Sequence, residues 1–308
     1  MTLPPFDFHR PTNEEEAREL LLRYEDDAAV ICGGTELLLL LKLGYAAYGH
    51  LVSISEIPAL RGVRVENGSL VIGATSTHRE IESSSVVLEH LPALAAMERR
   101  VANIRVRNVG TLGGNLCFSD PHSDPATFLL ALDADAEWAD RRAPLHEFLV
   151  GPYQTALTSG ELLRTVRIPL PAPGTHIVHR KFAFHERPAA TVTTALRLQD
   201  GTITEARIAI GSVGSHAIRA HSAEAQLQGV LAGDLGAMGE SAQAAADVSE
   251  PVEDANGSAD YKRELVRVLV TRCLREAVAS GAWTHGKGGA GVAPRASRRS
   301  SGPVLRDT

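Results

Sequence analysis

Along residues 13–24, Glu14, Glu15 and Glu16 precede Ala17, Leu20, Leu21 and Tyr24, whose spacing of three or four predicts an amphipathic helix. Thr12, with Glu15 three positions on, predicts a capping box, and the acidic cluster suits the positive end of the helix dipole. Residues 28–31 then predict a short strand, broken by Gly33-Gly34. A second helix is expected at 37–43 and a second strand at 51–54. Strand, glycine turn, helix and strand together read as a small parallel βαβ unit.

The texture changes after Pro58. Asn67-Gly68 separates stretches 61–65 and 69–72, a strong signal for a two-residue hairpin. Helices are predicted around 78–82, 88–99 and 126–132, a glycine-rich loop at 110–115 and a strand at 163–168. Pro169, Pro171, Pro173 and Gly174 then mark a boundary. Beyond it, Asp200-Gly201 joins residues 195–198 to 202–210 in a second hairpin. Helices are expected at 221–232, 236–246 and 260–279, the last with Leu265, Val268, Leu269 and Cys273 on one side. From His285 the final 24 residues are rich in Gly, Ser and Arg with almost nothing to bury, which predicts a disordered tail. The expected division is therefore 1–174, itself in parts 1–57 and 58–174, then 175–284, then the tail 285–308.

Composition narrows the function classes. The 308 residues are 44% apolar and 22% charged, ordinary for a chain that buries a sizeable core. A net charge of −6 argues against a general nucleic-acid binder, which needs a basic face. Cys32, Cys117 and Cys273 lie far apart and are odd in number, so neither a disulfide framework nor a zinc or four-cysteine iron–sulfur site is expected. No basic, then apolar, leader opens the chain, and its longest aliphatic run, Leu37 to Leu41, is far short of the ~20 residues of a membrane helix. A cytoplasmic location without membrane insertion is expected.

Two segments carry candidate chemistry. Cys32-Gly33-Gly34-Thr35-Glu36-Leu37 lies between a predicted strand and a helix, where glycines let the backbone approach a ligand and turn N–H groups toward an anion. Thr111-Leu112-Gly113-Gly114-Asn115, followed by Asp120-Pro-His-Ser-Asp124, repeats the pattern eighty positions later. Either alone is weak, since most Gly-Gly turns are geometry; as a pair they can grip the two phosphates of a dinucleotide. Rival motifs fail. No G-x-G-x-x-G follows a strand, so a Rossmann site is not indicated. Gly281 to Gly288 imitates a phosphate loop but follows a helix and lacks the metal-binding hydroxyl. Asp120, His122 and Asp124 read as a polar loop rather than a metal site, and Asn67-Gly-Ser and Asn256-Gly-Ser as turns.

With Ile104-Arg-Val-Arg-Asn-Val-Gly-Thr-Leu-Gly-Gly-Asn115 and Ser119-Asp-Pro-His-Ser-Asp124 added to Gly33-Gly-Thr-Glu-Leu37, the chain resembles the FAD-binding medium subunits of molybdenum hydroxylases. These include carbon monoxide dehydrogenase flavoproteins and the FAD domain of xanthine dehydrogenase. The resemblance runs over residues 4–280 and implies an α+β fold: a two-part FAD-binding domain of the vanillyl-alcohol-oxidase-like (PCMH) type, then a smaller domain of antiparallel strands and helices. It also implies FAD on this chain, held by Val30, Ile31, Cys32, Gly33, Gly34, Thr35, Glu36 and Leu37 as one phosphate loop. Thr111, Leu112, Gly113, Gly114 and Asn115 are implied as the other, through amides and side chains. Asp124, Val101, Leu163 and Lys181 match further cofactor positions. Relatives often carry an acidic or aromatic residue where Pro188-Ala189 stands, near the flavin ring.

The implied role is electron transfer. A large molybdopterin subunit oxidises substrate, a small subunit with two [2Fe–2S] clusters relays electrons, and this chain passes them to an external acceptor, in a dimer of heterotrimers. No catalytic residue or metal site is then expected on the chain itself. A stand-alone flavin oxidase of the same superfamily is the alternative, although its substrate-covering domain would need more chain than follows residue 174. A flavin-free interaction subunit fits the intact glycine pair less well.

Overall fold

The computed structural model describes residues 2–184 and 187–285. The first sheet is parallel: β1 (Asp7–His9), β2 (Ala28–Ile31) and β3 (His50–Ser53) in the order β1-β3-β2, connected by helices α1 (Glu14–Tyr24) and α2 (Leu37–Leu43). The expected βαβ unit is present, with β1 added on the far side of β3. Both faces of the sheet are covered: Ala17, Leu21, Val52 and Ile54 belong to one hydrophobic cluster, and Ile31, Leu41 and Leu51 to another.

Helix α1 is capped one residue later than Thr12 predicts. The N-cap is Asn13, whose Oδ1 accepts from the Glu16 amide at 2.9 Å, while the Glu16 carboxylate accepts from the Thr12 amide at 2.8 Å. The register belongs to Asn13 because it is the last extended residue, with φ −145°, before the helical turn. Asn13→Ala is expected to cost about 1 kcal/mol of stability. An unchanged midpoint in urea denaturation would contradict this.

The second sheet is antiparallel and opens with the hairpin β4 (Val63–Glu66) and β5 (Ser69–Gly73). Its turn residues Asn67 and Gly68 both adopt positive φ, 50° and 74°, as the sequence requires of them. Six short helices follow: α3 (His78–Ser83), α4 (Ser85–His90), α5 (Pro92–Glu98), α6 (Ile104–Val109), α7 (Leu112–Phe118) and α8 (Asp124–Ala131). Pro92 at the first turn of α5 divides what the periodicity predicts as one helix. Strands β6 (Asp135–Trp138) and β7 (Arg141–Pro144), the single turn α9 (Leu145–Phe148), the pair β8 (Leu149–Gly151) and β9 (Gln154–Thr155), and β10 (Leu163–Pro169) complete this part. The sheet order is β4-β5-β10-β6-β7, packed on Phe128, Trp138, Phe148 and Val166.

The third sheet, β11 (Thr175–Phe182), β12 (Ala190–Gln199), β13 (Thr202–Gly211) and β14 (Ile218–Arg219), is also antiparallel and in sequence order. Asp200-Gly201 forms its central hairpin. Helices α10 (His221–Leu227), α11 (Leu235–Asp247) and α12 (Ala259–His285) pack on it through Met238, Ala242, Leu269, Cys273 and Leu274. Helix α12 runs six residues beyond its predicted end and includes His285; the rest of the predicted tail, with Gly286-Lys287-Gly288, lies outside the described residues. Thr127 of α8 meets Thr191 of β12 at 3.1 Å, which sets the start of α8 beside β11. The class is α+β, as the sequence implies.

Candidate functional site

The two glycine segments face each other. Gly33 lies so close to the second segment that an added Cβ would overlap the Val109 carbonyl and come within 2.8 Å of Gly110 Cα. Cys32 is linked to the Thr111 side chain, and its burial pushes the thiol pKa upward. Between the segments opens a cavity of about 550 Å³, within the size range of cofactor sites. Residues 30–37 line it, together with Val101, Thr111, Gly113, Gly114, Asn115, Asp124 and Leu163. Leu112 and Lys181 do not. Leu112 is fully buried in the second core, and Lys181 spends its ammonium group on the Asp124 carboxylate and on the Arg100 carbonyl at 2.8 Å.

The first segment turns from β2 into α2 at Gly34, where φ is +66° and a Cβ would crowd Ile31 and Leu38 at 3.1 Å. The amides of Gly34, Thr35 and Glu36 have no acceptor among the described residues. They are available to an anion.

The second segment differs from its expected form. Thr111 is an N-cap, so Gly113 and Gly114 form the first turn of α7 instead of a loop. Their amides are already engaged: Leu112 N–H donates to Ser76 O, Gly113 N–H to Ala74 O, Gly114 N–H to Thr111 Oγ1 and Asn115 N–H to Thr111 O. The donors left for a ligand are the Thr111 amide and Asn115 Nδ2. Gly113 is small because Ala74 sits against it, at 2.6 Å from an added Cβ. Gly114 is small beside open space, since only Thr111 Oγ1 lies within reach of its Cβ, at 2.8 Å.

Asp124 opens α8 at the cavity wall, 6% exposed. Its Oδ2 binds Lys181; its Oδ1 has no hydrogen-bond partner and stands 3.6 Å from His179 Nε2. Burial alone would raise its pKa, but His179 and Lys181 outweigh burial and hold it below the ordinary carboxylate value. Asp120 and His122 bond to each other at 2.9 Å while Asp124 turns away, and no metal-binding cluster exists among the described residues.

Sequence reasoning does not find His78, Tyr153, Glu161 or Arg187, which also line the cavity. They come from distant segments, and only His78 sits beside a local motif, the Thr77–Glu80 capping box. Arg187 ties Glu36, at 3.5 Å, to Asp120, at 3.0 Å, across the cavity mouth beside Pro188. Burial raises the Glu36 pKa, so its carboxylate is costly without that guanidinium. Arg187 is half-exposed, so Arg187→Gln is expected to weaken flavin binding only about two- to fivefold. Fluorescence titration with FAD reads this, and a hundredfold loss would contradict it.

The donor set fits FAD. Free amides and an Asn amide suit a diphosphate, an unpartnered buried carboxylate oxygen suits a ribose hydroxyl, and Val30, Val101 and Leu163 offer apolar walls.

Comparison with known proteins agrees. The family described as the FAD binding domain in molybdopterin dehydrogenase matches residues 4–171, and the CO dehydrogenase flavoprotein C-terminal domain matches 180–277. The chain is 34% identical to the carbon monoxide dehydrogenase medium chain of Hydrogenophaga pseudoflava over 90% of its own length and 98% of that protein. It is 32% identical to the xanthine dehydrogenase FAD-binding subunit of Escherichia coli O157:H7, over 89% and 98%. The solved carbon monoxide dehydrogenase of H. pseudoflava superimposes with a TM-score of 0.87 at 34% identity, over 91% of this chain and 99% of that one. Quinoline 2-oxidoreductase from Pseudomonas putida 86 gives 0.87 at 29% identity, with the same coverage.

Proposed function

The chain belongs to the family of FAD-binding subunits of molybdenum hydroxylases, and from that premise we propose that it is the electron-exit subunit of a three-subunit complex. Its partners are a small subunit with two [2Fe–2S] clusters and a large molybdopterin subunit, in a dimer of heterotrimers in the cytoplasm. No helix of the described residues is long and apolar enough to cross a membrane. The FAD-binding part is assigned to residues 1–174 and the C-terminal part to 175–284, a division supported by the change of sheet and hydrophobic cluster between β10 and β11.

The observation that carries this reading is the convergence of the two glycine segments on one cavity. When bound there, FAD supplies a two-electron store that accepts single electrons from clusters and delivers them to an acceptor. The chain's own residues bind and orient it. Gly34, Thr35 and Glu36 offer backbone amides to one phosphate; Thr111 offers its backbone amide and Asn115 its Nδ2 to the other. Asp124, fixed by Lys181 and His179, accepts from a ribose hydroxyl, and Leu163 and Val101 exclude water from the wall.

The test is substrate-driven cluster reduction in a complex depleted of FAD. Clusters should still bleach, because they precede the flavin, while transfer to the external acceptor stops. Clusters that stay oxidised beside an intact molybdenum centre would overturn the electron path.

A further inference from the structure

A diphosphate brings negative charge to a wall that already holds four carboxylates, Glu36, Asp120, Asp124 and Glu161. The one lysine or arginine among the lining residues, Arg187, is engaged by two of them. At the second glycine segment the amides of Leu112, Gly113, Gly114 and Asn115 are consumed within the fold, and the donors left, the Thr111 amide and Asn115 Nδ2, carry no charge. Charge compensation at that segment therefore has to come from another group, and the structure supplies one.

His78 is the first residue of α3, whose start is fixed by the Thr77–Glu80 capping box. Its amide donates to Gly110 O at 3.0 Å, and its ring Cδ2 lies 3.3 Å from where a Gly110 Cβ would be, so the imidazole sits directly against the second segment. Nδ1 is held by Glu98 Oε2 at 2.6 Å. Glu98 is fully buried, and its Oε1 has no partner. Arg79 and Arg107 are taken by Glu82, so neither competes for Glu98. The ring is 96% buried yet lines the cavity, and its Nε2 has no partner among the described residues. A histidine held at Nδ1 by a carboxylate presents Nε2 in a fixed direction. An imidazole that carries a proton on both nitrogens donates at both corners, to Glu98 through Nδ1 and to an anion through Nε2, and brings positive charge to the segment.

We propose that His78 contacts the cofactor's diphosphate through Nε2 and that Glu98 is the positioning residue that aims it. This rests on the FAD reading above. The test titrates FAD, ADP and riboflavin into the flavin-free full-length chain and its variants. His78→Asn keeps an amide for Glu98 and removes Nε2; His78→Gln places an amide near the Nε2 position. His78→Asn should weaken FAD and ADP about ten- to hundredfold, as expected for a charge-assisted hydrogen bond, and leave riboflavin unchanged. His78→Gln should recover part of that loss, and Glu98→Gln should show the same ligand selectivity in milder form.

FAD and ADP affinities unchanged in His78→Asn would overturn the proposal, and so would equal losses for riboflavin. If His78→Asn does not fold, the 15N resonance of His78 Nε2 in the unmodified chain decides: it should shift with ADP and not with riboflavin, and no shift with ADP overturns the contact. Failure of the unmodified, folded chain to bind FAD would instead overturn the underlying cofactor reading.

Discussion

A chain carrying Gly114→Val is expected to fold and to hold no flavin. Gly114 is in the first turn of α7, and its added Cβ would meet only Thr111 Oγ1, at 2.8 Å. Displacing that hydroxyl weakens one helix cap, a cost of about 1 kcal/mol. The remaining atoms of the isopropyl group enter the cavity at the second segment, where a phosphate would approach. Gly113→Ala is the contrast. Its Cβ would press on Ala74 Cβ and O at 2.6 Å, inside the protein, so it should damage folding instead of only ligand binding. Stoichiometric flavin on a soluble Gly114→Val chain would contradict this division of roles.

Asp124→Ala should lose both stability and affinity. Asp124, 6% exposed, is the carboxylate that Lys181 and His179 of β11 both face, so removing it strands a buried cation and unties α8 from that strand. Breaking such a pair costs about 3–5 kcal/mol. Loss of one charge-assisted hydrogen bond to the cofactor adds about a ten- to 150-fold fall in FAD affinity. Asp124→Asn separates charge from shape. The folded-state pKa of Asp124 is depressed below its ordinary 3.8, so its stabilising contribution is present above that value and is lost as pH falls through the folded pKa. The Asn variant should therefore lose less stability than the parent on acidification into that range. Parallel acid limbs in urea denaturation would show that Asp124 does not supply the difference.

The strongest local signals in the sequence are also the ones the fold obeys. Asn67-Gly68 and Asp200-Gly201 turn as expected because positive φ at those positions leaves few alternatives. Strands β6 and β7 are illegible for the opposite reason: Asp135–Trp138 and Arg141–Pro144 are short and polar, and only pairing with β10 and with each other makes them strands. The glycines at 113 and 114 suggest a loop, but the Thr111 cap carries more weight than two glycines in a first helical turn.

Residues 30–37, Thr111 and 113–115 line the cavity as two contiguous segments, which is why each can be picked out as a local motif. His179 and Arg187 cannot be picked out this way, since only the tertiary fold brings them to Asp124 and Glu36. His78 left one usable trace: Thr77 and Glu80 mark a helix start that fixes where the histidine stands. Lys181, a cation matched by position, lies outside the cavity lining and binds Asp124, which the sequence does not show.

The most direct test is an experimental structure of the chain with FAD bound. The diphosphate is expected between residues 33–36 and 111–115, within hydrogen-bond reach of the Gly34–Glu36 amides and beside Gly114. A cofactor bound with its diphosphate elsewhere on the chain, or these two segments empty while FAD is present, would contradict this expectation.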